Sequence, residues 1–147
     1  MLMPAAKILI GNPNTTVSMT QTIDAAARAV AAPGTEIVAV TSSMGPASIE
    51  GFYDEAFAVP GLIQALLEVP DADAGIIACF DDTGLDAARS VARFPVVGIC
   101  EAALVTAGQL AKRIAMLFPL QKATRGCLSH LPHDRACAGS QPECAPP

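Results

Sequence analysis

Four short, mostly apolar runs, each closed by a loop of small or polar residues, constrain this chain more than any other feature. Lys7–Ile10 (KILI) is rich in β-branched residues and stops at Gly11-Asn12-Pro13. Glu36–Val40, Ala74–Ala78 and Pro95–Ile99 follow as three further strands. Between the first two, Ser18-Met19-Thr20-Gln21 has capping-box spacing, with Thr15 and Thr16 as further cap candidates. The helix behind it places Met19, Ile23, Ala26 and Val30 on one face and ends at Pro33-Gly34. A Gly/Ser/Pro-rich loop, Thr41–Gly51, leads to a helix within Phe52–Glu68. Leu85–Val91 is a short helix, and Glu101–Ile114 is another, with Leu104, Ala107, Ala111 and Ile114 in one stripe. Strands that alternate with helices are joined by crossovers and therefore run parallel. The expected fold class is α/β, an open parallel four-stranded sheet with helices on both faces.

This patterning stops near Met116. Residues 1–116 form the expected α/β lobe, and residues 117–147 are expected to be an irregular or disordered tail. The tail holds three of the five Cys and both His. Cys127, His130, His133, Cys137 and Cys144 are zinc-compatible types, but their spacing matches no zinc pattern, so no metal is expected. The abrupt change predicts a reading-frame shift or truncation near residues 114–118.

A net charge of −5 excludes the basic footprint that nucleic-acid binding requires. No apolar run approaches the ~20 residues of a membrane span, so no membrane partner is expected. Met1–Ala6 carries no basic stretch leading into an apolar core, which makes the cytoplasm, with reduced thiols, the expected compartment. The turn after the first strand lacks the glycine spacing of dinucleotide fingerprints, and no Walker A pattern occurs, so a nucleotide cofactor has no support.

Ligands of open α/β sheets sit beyond the carboxyl ends of the strands. That rule collects Gly11–Thr16, Thr41–Ser48, Cys79–Gly84 and Gly98–Glu101 on one rim. Cys79 ends the third strand shortly before a helix, a position that favours a thiolate, while Asp81 and Asp82 oppose it unless they point elsewhere or cap that same helix. A buried packing Cys would fit the same position. The amides and hydroxyls of Asn12, Asn14, Thr15 and Thr16 suit the carbonyl or carboxylate oxygens of a small ligand, and equally suit a turn and N-cap. Nothing local marks Cys100 as activated, and Glu101 is read as a first-turn helix acid.

Taken together, NPNTT (Asn12–Thr16), GPASIEGFYDE (Gly45–Glu55), ACFDDTGLDAAR (Ala78–Arg89) and PVVGICEAA (Pro95–Ala103) resemble the hydantoin racemases and their allantoin-racemase relatives, within the aspartate/glutamate racemase superfamily. The resemblance covers Lys7 to about Ile114. It implies a cofactor-free exchange of the proton on the stereogenic carbon of a 5-monosubstituted hydantoin, with one cysteine acting on each face. By the same match Cys79 is one of the two bases. Asn12, Asn14 and Thr15 would line the polar edge of the ring, with Ser48, Ile49 and Phe80 shaping the pocket. Such racemases have two similar lobes with the site between them, and this sequence carries the first lobe's motifs. A homo-oligomer is a further expectation. The alternatives are a related enzyme on a small carboxylate (an amino-acid racemase or an arylmalonate-type decarboxylase) and a non-catalytic α/β remnant.

Overall fold

The computed structural model describes residues 6–116 and the backbone of residues 136–138. Its elements are β1 (Lys7–Asn12), α1 (Val17–Val30), β2 (Glu36–Thr41), α2 (Phe52–Leu67), β3 (Ala74–Ile77), α3 (Leu85–Val91), β4 (Val96–Gly98), α4 (Ile99–Leu110), β5 (Ile114–Met116) and β6 (Ala136–Ala138). The first four strands form one parallel sheet in the order β2-β1-β3-β4, with Ile8 opposite Ile37 on one side and Ala74 on the other. The expected sheet is present.

That order follows from right-handed crossovers. The β1–α1–β2 unit steps one way from β1, while β2–α2–β3 and β3–α3–β4 step the other. Helix α1 therefore lies on one face, and α2 and α3 on the opposite one. Alternation along the strands divides their side chains accordingly. Leu9, Ile77 and Val96 point to α2 and α3, where they bury Leu62, Leu66, Leu85 and Ala88. Ile8, Ile10, Ile37 and Ile76 point to α1. Each fully buried aliphatic side chain in the first set contributes on the order of 2 kcal/mol of transfer free energy.

Several boundaries differ from the sequence reading. Strand β1 runs through Gly11 and Asn12, which pair with Val40 and Thr41 despite glycine's poor strand propensity. A side chain at Gly11 would put a Cβ 2.7 Å from Leu62, so glycine there lets α2 approach the sheet. The N-cap of α1 is Thr16, and Ser18 lies inside the helix, so the Ser18 capping box is not used. The apolar stripe on one face of α1 is largely uncovered, with Met19 47% and Val30 85% exposed. Strand β4 ends at Gly98 and α4 starts at Ile99, earlier than expected, because a carboxylate from another loop caps it there. Helix α4 stops at Leu110, with Ala111 extended, and Ile114 belongs to β5. Ala111, Lys112 and Arg113 favour helix intrinsically, so pairing of the next segment overrides propensity.

No element was expected beyond residue 117, yet β6 pairs in parallel with β5, Cys137 opposite Ala115. The other tail residues weighed as metal ligands, Cys127, His130, His133 and Cys144, lie outside the described residues. Among the described residues no group of His, Cys, Asp or Glu is placed to hold a metal ion. Nor is any helix among them long and apolar enough to cross a membrane.

Candidate active site

With the order β2-β1-β3-β4, connections leave β1 and β3 toward opposite faces, and their carboxyl ends are the switch point at which sheets of this kind offer a binding crevice. The two loops singled out from the sequence flank this crevice. They leave the sheet side by side, joined by the Ala78 N–H donating to the Gly11 carbonyl at 2.9 Å.

The β1 loop is held by its own amides. Asn12 is 1% exposed, and its Nδ2 donates to Asn14 Oδ1 at 3.0 Å and Thr20 Oγ1 at 2.9 Å. Its Oδ1 accepts the Asn14 main-chain N–H at 3.2 Å, and Asn14 Oδ1 in turn accepts the Thr16 N–H at 2.9 Å. Asn12 is thus a strut beneath the loop, not a group on its surface. Satisfying these buried polar atoms matters, because an unpaired one costs about 1–3 kcal/mol. The same loop captures the segment after β2. Thr15 N–H donates to the Pro46 carbonyl at 3.0 Å, and the Thr16 hydroxyl to the Ala47 carbonyl at 2.7 Å. Ser48, exposed, and Ile49, half-buried, follow directly. Thr15, Ser48 and Ile49 therefore belong to one assembly at the rim, to which Asn14, itself buried at 6% exposure, is tied through Thr16.

On the other side of the crevice, Cys79 leaves β3 partly buried, its side chain packed against the α2/α3 core. Its thiol donates to Asp81 Oδ1 at 2.9 Å. Burial first, and then the charge and hydrogen bonding of Asp81, push the thiol up to about 12. The Thr83 hydroxyl and the Asp81 main-chain N–H pull the other way. Phe80, next in sequence, is 45% exposed.

The two adjacent aspartates diverge. Asp82, with a positive φ of 55°, turns its carboxylate away from Cys79. It accepts the N–H groups of Cys100 at 2.9 Å and Glu101 at 2.7 Å. It caps α4 from another loop, which explains why that helix begins at Ile99. Aspartate tolerates the left-handed region better than most residues. A Cβ at Gly98 would lie 2.2 Å from this carboxylate. Glu101 does occupy the first turn of α4, and pairs with Arg89 at 2.5 Å. The Cys100 side chain is fully buried with Leu104 and Met116.

Three participants escaped the sequence reading as site residues. Asp81 and Thr83 were legible in part, since Asp-x-Thr is a turn signature and Asp81 Oδ1 accepts the Thr83 N–H at 3.2 Å. Glu55, from the first turn of α2, had no local signal. Burial, and then the charge of Asp81, hold its carboxyl above the usual range, with the Gly84 N–H opposing them.

Comparison with known proteins identifies the family of this fold. The family model for the Asp/Glu/Hydantoin racemase domain matches residues 8–144. A hydantoin racemase of Pseudomonas sp. (strain NS671) is 47% identical over 118 residues, covering 79% of this chain and 47% of that protein. A hydantoin racemase of Rhizobium meliloti is 43% identical over 114 residues, with 76% and 47% covered. Among solved structures, allantoin racemase from Klebsiella pneumoniae superposes with a TM-score of 0.81 at 44% identity, covering 85% of this chain and 52% of that one. Allantoin racemase from Pseudomonas fluorescens gives 0.79 at 35% identity, with 84% and 53% covered. The chain spans about half the length of the curated relatives it matches. Fold, motif order and similarity agree that the chain belongs to the Asp/Glu/hydantoin racemase family.

Proposed function

We propose that the chain supplies one lobe of a racemase for 5-monosubstituted hydantoins, with Cys79 exchanging the proton on the stereogenic ring carbon without a cofactor. The observation that carries this reading is a cysteine at the carboxyl end of β3, bordering the β1/β3 crevice of a fold shared with hydantoin and allantoin racemases. The ring carbon lies beside a carbonyl, so removing its proton places negative charge on an oxygen. Hydrogen-bond donors aimed at that oxygen lower the barrier. The amino-terminal turn of α1 opens on the same rim and favours negative charge there.

In this reading Asn14 and Thr15 meet the polar edge of the ring, while Ser48, Ile49 and Phe80 bound its substituent. Asn12 contributes by holding Asn14 and Thr16. Proton transfer at both faces of a planar intermediate needs a second acid–base group, and Cys100, buried against Leu104 and Met116, is not that group. One-sided proton exchange needs Cys79 alone, acting as base through the minor thiolate form that grows as pH rises toward its raised range.

Incubating an optically pure 5-benzylhydantoin with the chain in D2O reads both events. Rotation reports inversion, and loss of the C5–H resonance reports proton transfer. Exchange above the buffer rate that disappears in Cys79→Ala is the expected result. Exchange no faster than buffer overturns the activity, and exchange that survives Cys79→Ala overturns the role of the cysteine.

A further inference from the structure

Around Cys79 the polar groups converge on one carboxylate. Asp81 Oδ1 lies 2.9 Å from Cys79 Sγ, 2.6 Å from Thr83 Oγ1 and 3.2 Å from the Thr83 main-chain nitrogen. The last contact closes an Asx turn, and Thr83, 0% exposed, holds the carboxylate in one orientation. In this geometry sulfur is the donor. A thiolate would set a second negative charge against the carboxylate and lose the hydrogen bond as well.

We propose that Asp81 is a positioning residue that keeps Cys79 in its S–H form at rest and aims the sulfur, so that Cys79 begins the reaction as the proton donor. This rests on the reading of Cys79 as an acid–base group. A two-sided exchange needs one thiol and one thiolate at the outset, and Asp81 assigns the thiol to this lobe. The opposite base first takes the C–H proton, and the bond's electron pair passes into the adjacent carbonyl. The Sγ–H bond then breaks and a new C–H bond forms on the Cys79 side of the planar carbon, the sulfur keeping the electron pair. In the reverse direction that pair takes the C–H proton and restores the thiol, so no other reactant is consumed.

The remaining charged groups near the loop do not touch the sulfur. Asp82 is bonded to the first turn of α4, Glu101 is paired with Arg89, and Glu55 of α2 accepts the Gly84 N–H while the charge of Asp81 helps hold its carboxyl above the usual range. Asp81 is the carboxylate in contact with the sulfur.

The test is the pH profile of Cys79 alkylation by iodoacetamide in the full chain, followed on the Cys79 peptide by mass spectrometry. Thiolates are the reacting species, so the logarithm of the rate rises with pH until the thiol is ionised. The wild-type curve is expected to climb without a plateau to about pH 10.5, beyond an ordinary thiol near 8.5. Asp81→Asn is expected to bring the plateau down and raise the rate at pH 8 about tenfold, as removal of a neighbouring like charge does. A better-exposed sulfur would instead raise the rate equally at every pH. A wild-type plateau at or below the ordinary thiol value overturns the proposal, whether or not the variant folds. So does an Asp81→Asn curve of unchanged shape. Neither readout depends on racemisation, so an inactive chain would count against the proposed function and leave this result standing.

Discussion

The two faces of the sheet are built from similar residues and end in different states. On the α2/α3 face, Leu9, Leu62 and Ile77 are 0% exposed, and Leu66 and Leu85 are 2% exposed. On the α1 face, Ile10 and Ile37 are buried beside the helix, but a trough of about 430 Å³ opens between α1, the sheet and Ile99 at the start of α4. Its walls include Ile8, Ala26, Val30 and Ile76. The packed face is also the one that anchors Cys79. The catalytic candidate is therefore fixed by the part of the lobe that closes on itself, and the site can be assembled while the opposite face stays open.

Equal chemistry should therefore have unequal cost on the two faces. Leu62→Ala is expected to lower unfolding free energy by about 3–4 kcal/mol, as a truncation inside a close-packed region does. Ile23→Ala, at the trough, is expected to cost less than about 1 kcal/mol, because neighbours there have already forgone many contacts. Urea denaturation of both variants measures the difference, and similar losses would erase the distinction.

A second comparison concerns the loop that joins the packed face to α4. Asp82→Ala is expected to cost about 2–3 kcal/mol, because it strands the buried Cys100 N–H and removes charge-assisted bonds. Native-state hydrogen exchange should place the loss at the amides of Cys100 and Glu101. Protection unchanged there would mean that α4 holds its start unaided.

The smallest effect is the one that most sharpens the contrast. Ala88, 0% exposed on the inner side of α3, and Ala26, exposed at the trough, differ in the room available to a larger side chain. Ala88→Leu is expected to cost about 1–3 kcal/mol through overpacking. Ala26→Leu is expected to leave stability unchanged or raise it by less than about 1 kcal/mol, at the scale of a partly buried methylene or two. Thermal denaturation would show it, and a loss at Ala26 would mean that the trough is not open.

Sequence legibility followed the range of the interactions. The four strands declared themselves through β-branched runs, and the Cys79 loop through its place at the end of one. Asp81's opposition to a thiolate was legible because it acts over two residues. Its partner Glu55 was not, since 26 positions separate them along the chain and only the fold brings them together. Asp82 as the cap of α4 was hidden for the same reason, and because its φ of 55° is imposed by the turn and not announced by residue type. The burial of Asn12 was hidden by composition, since an Asn-Pro-Asn turn looks the same whether it faces solvent or lies under its own loop. Periodicity identified the apolar stripe of α1 correctly, yet a stripe states what a helix prefers to cover and not how much of it is covered.

The contact between Asp82 and Gly98 also bears on inheritance. A side chain at position 98 would occupy the space of the carboxylate that starts α4, so each residue sets what the other can be. A lineage could exchange Gly98 for alanine only by shortening or moving residue 82, and would then need another anchor for the helix. The two positions are expected to change together or not at all, and Gly98→Ala combined with Asp82→Ala should cost less than the sum of the single changes.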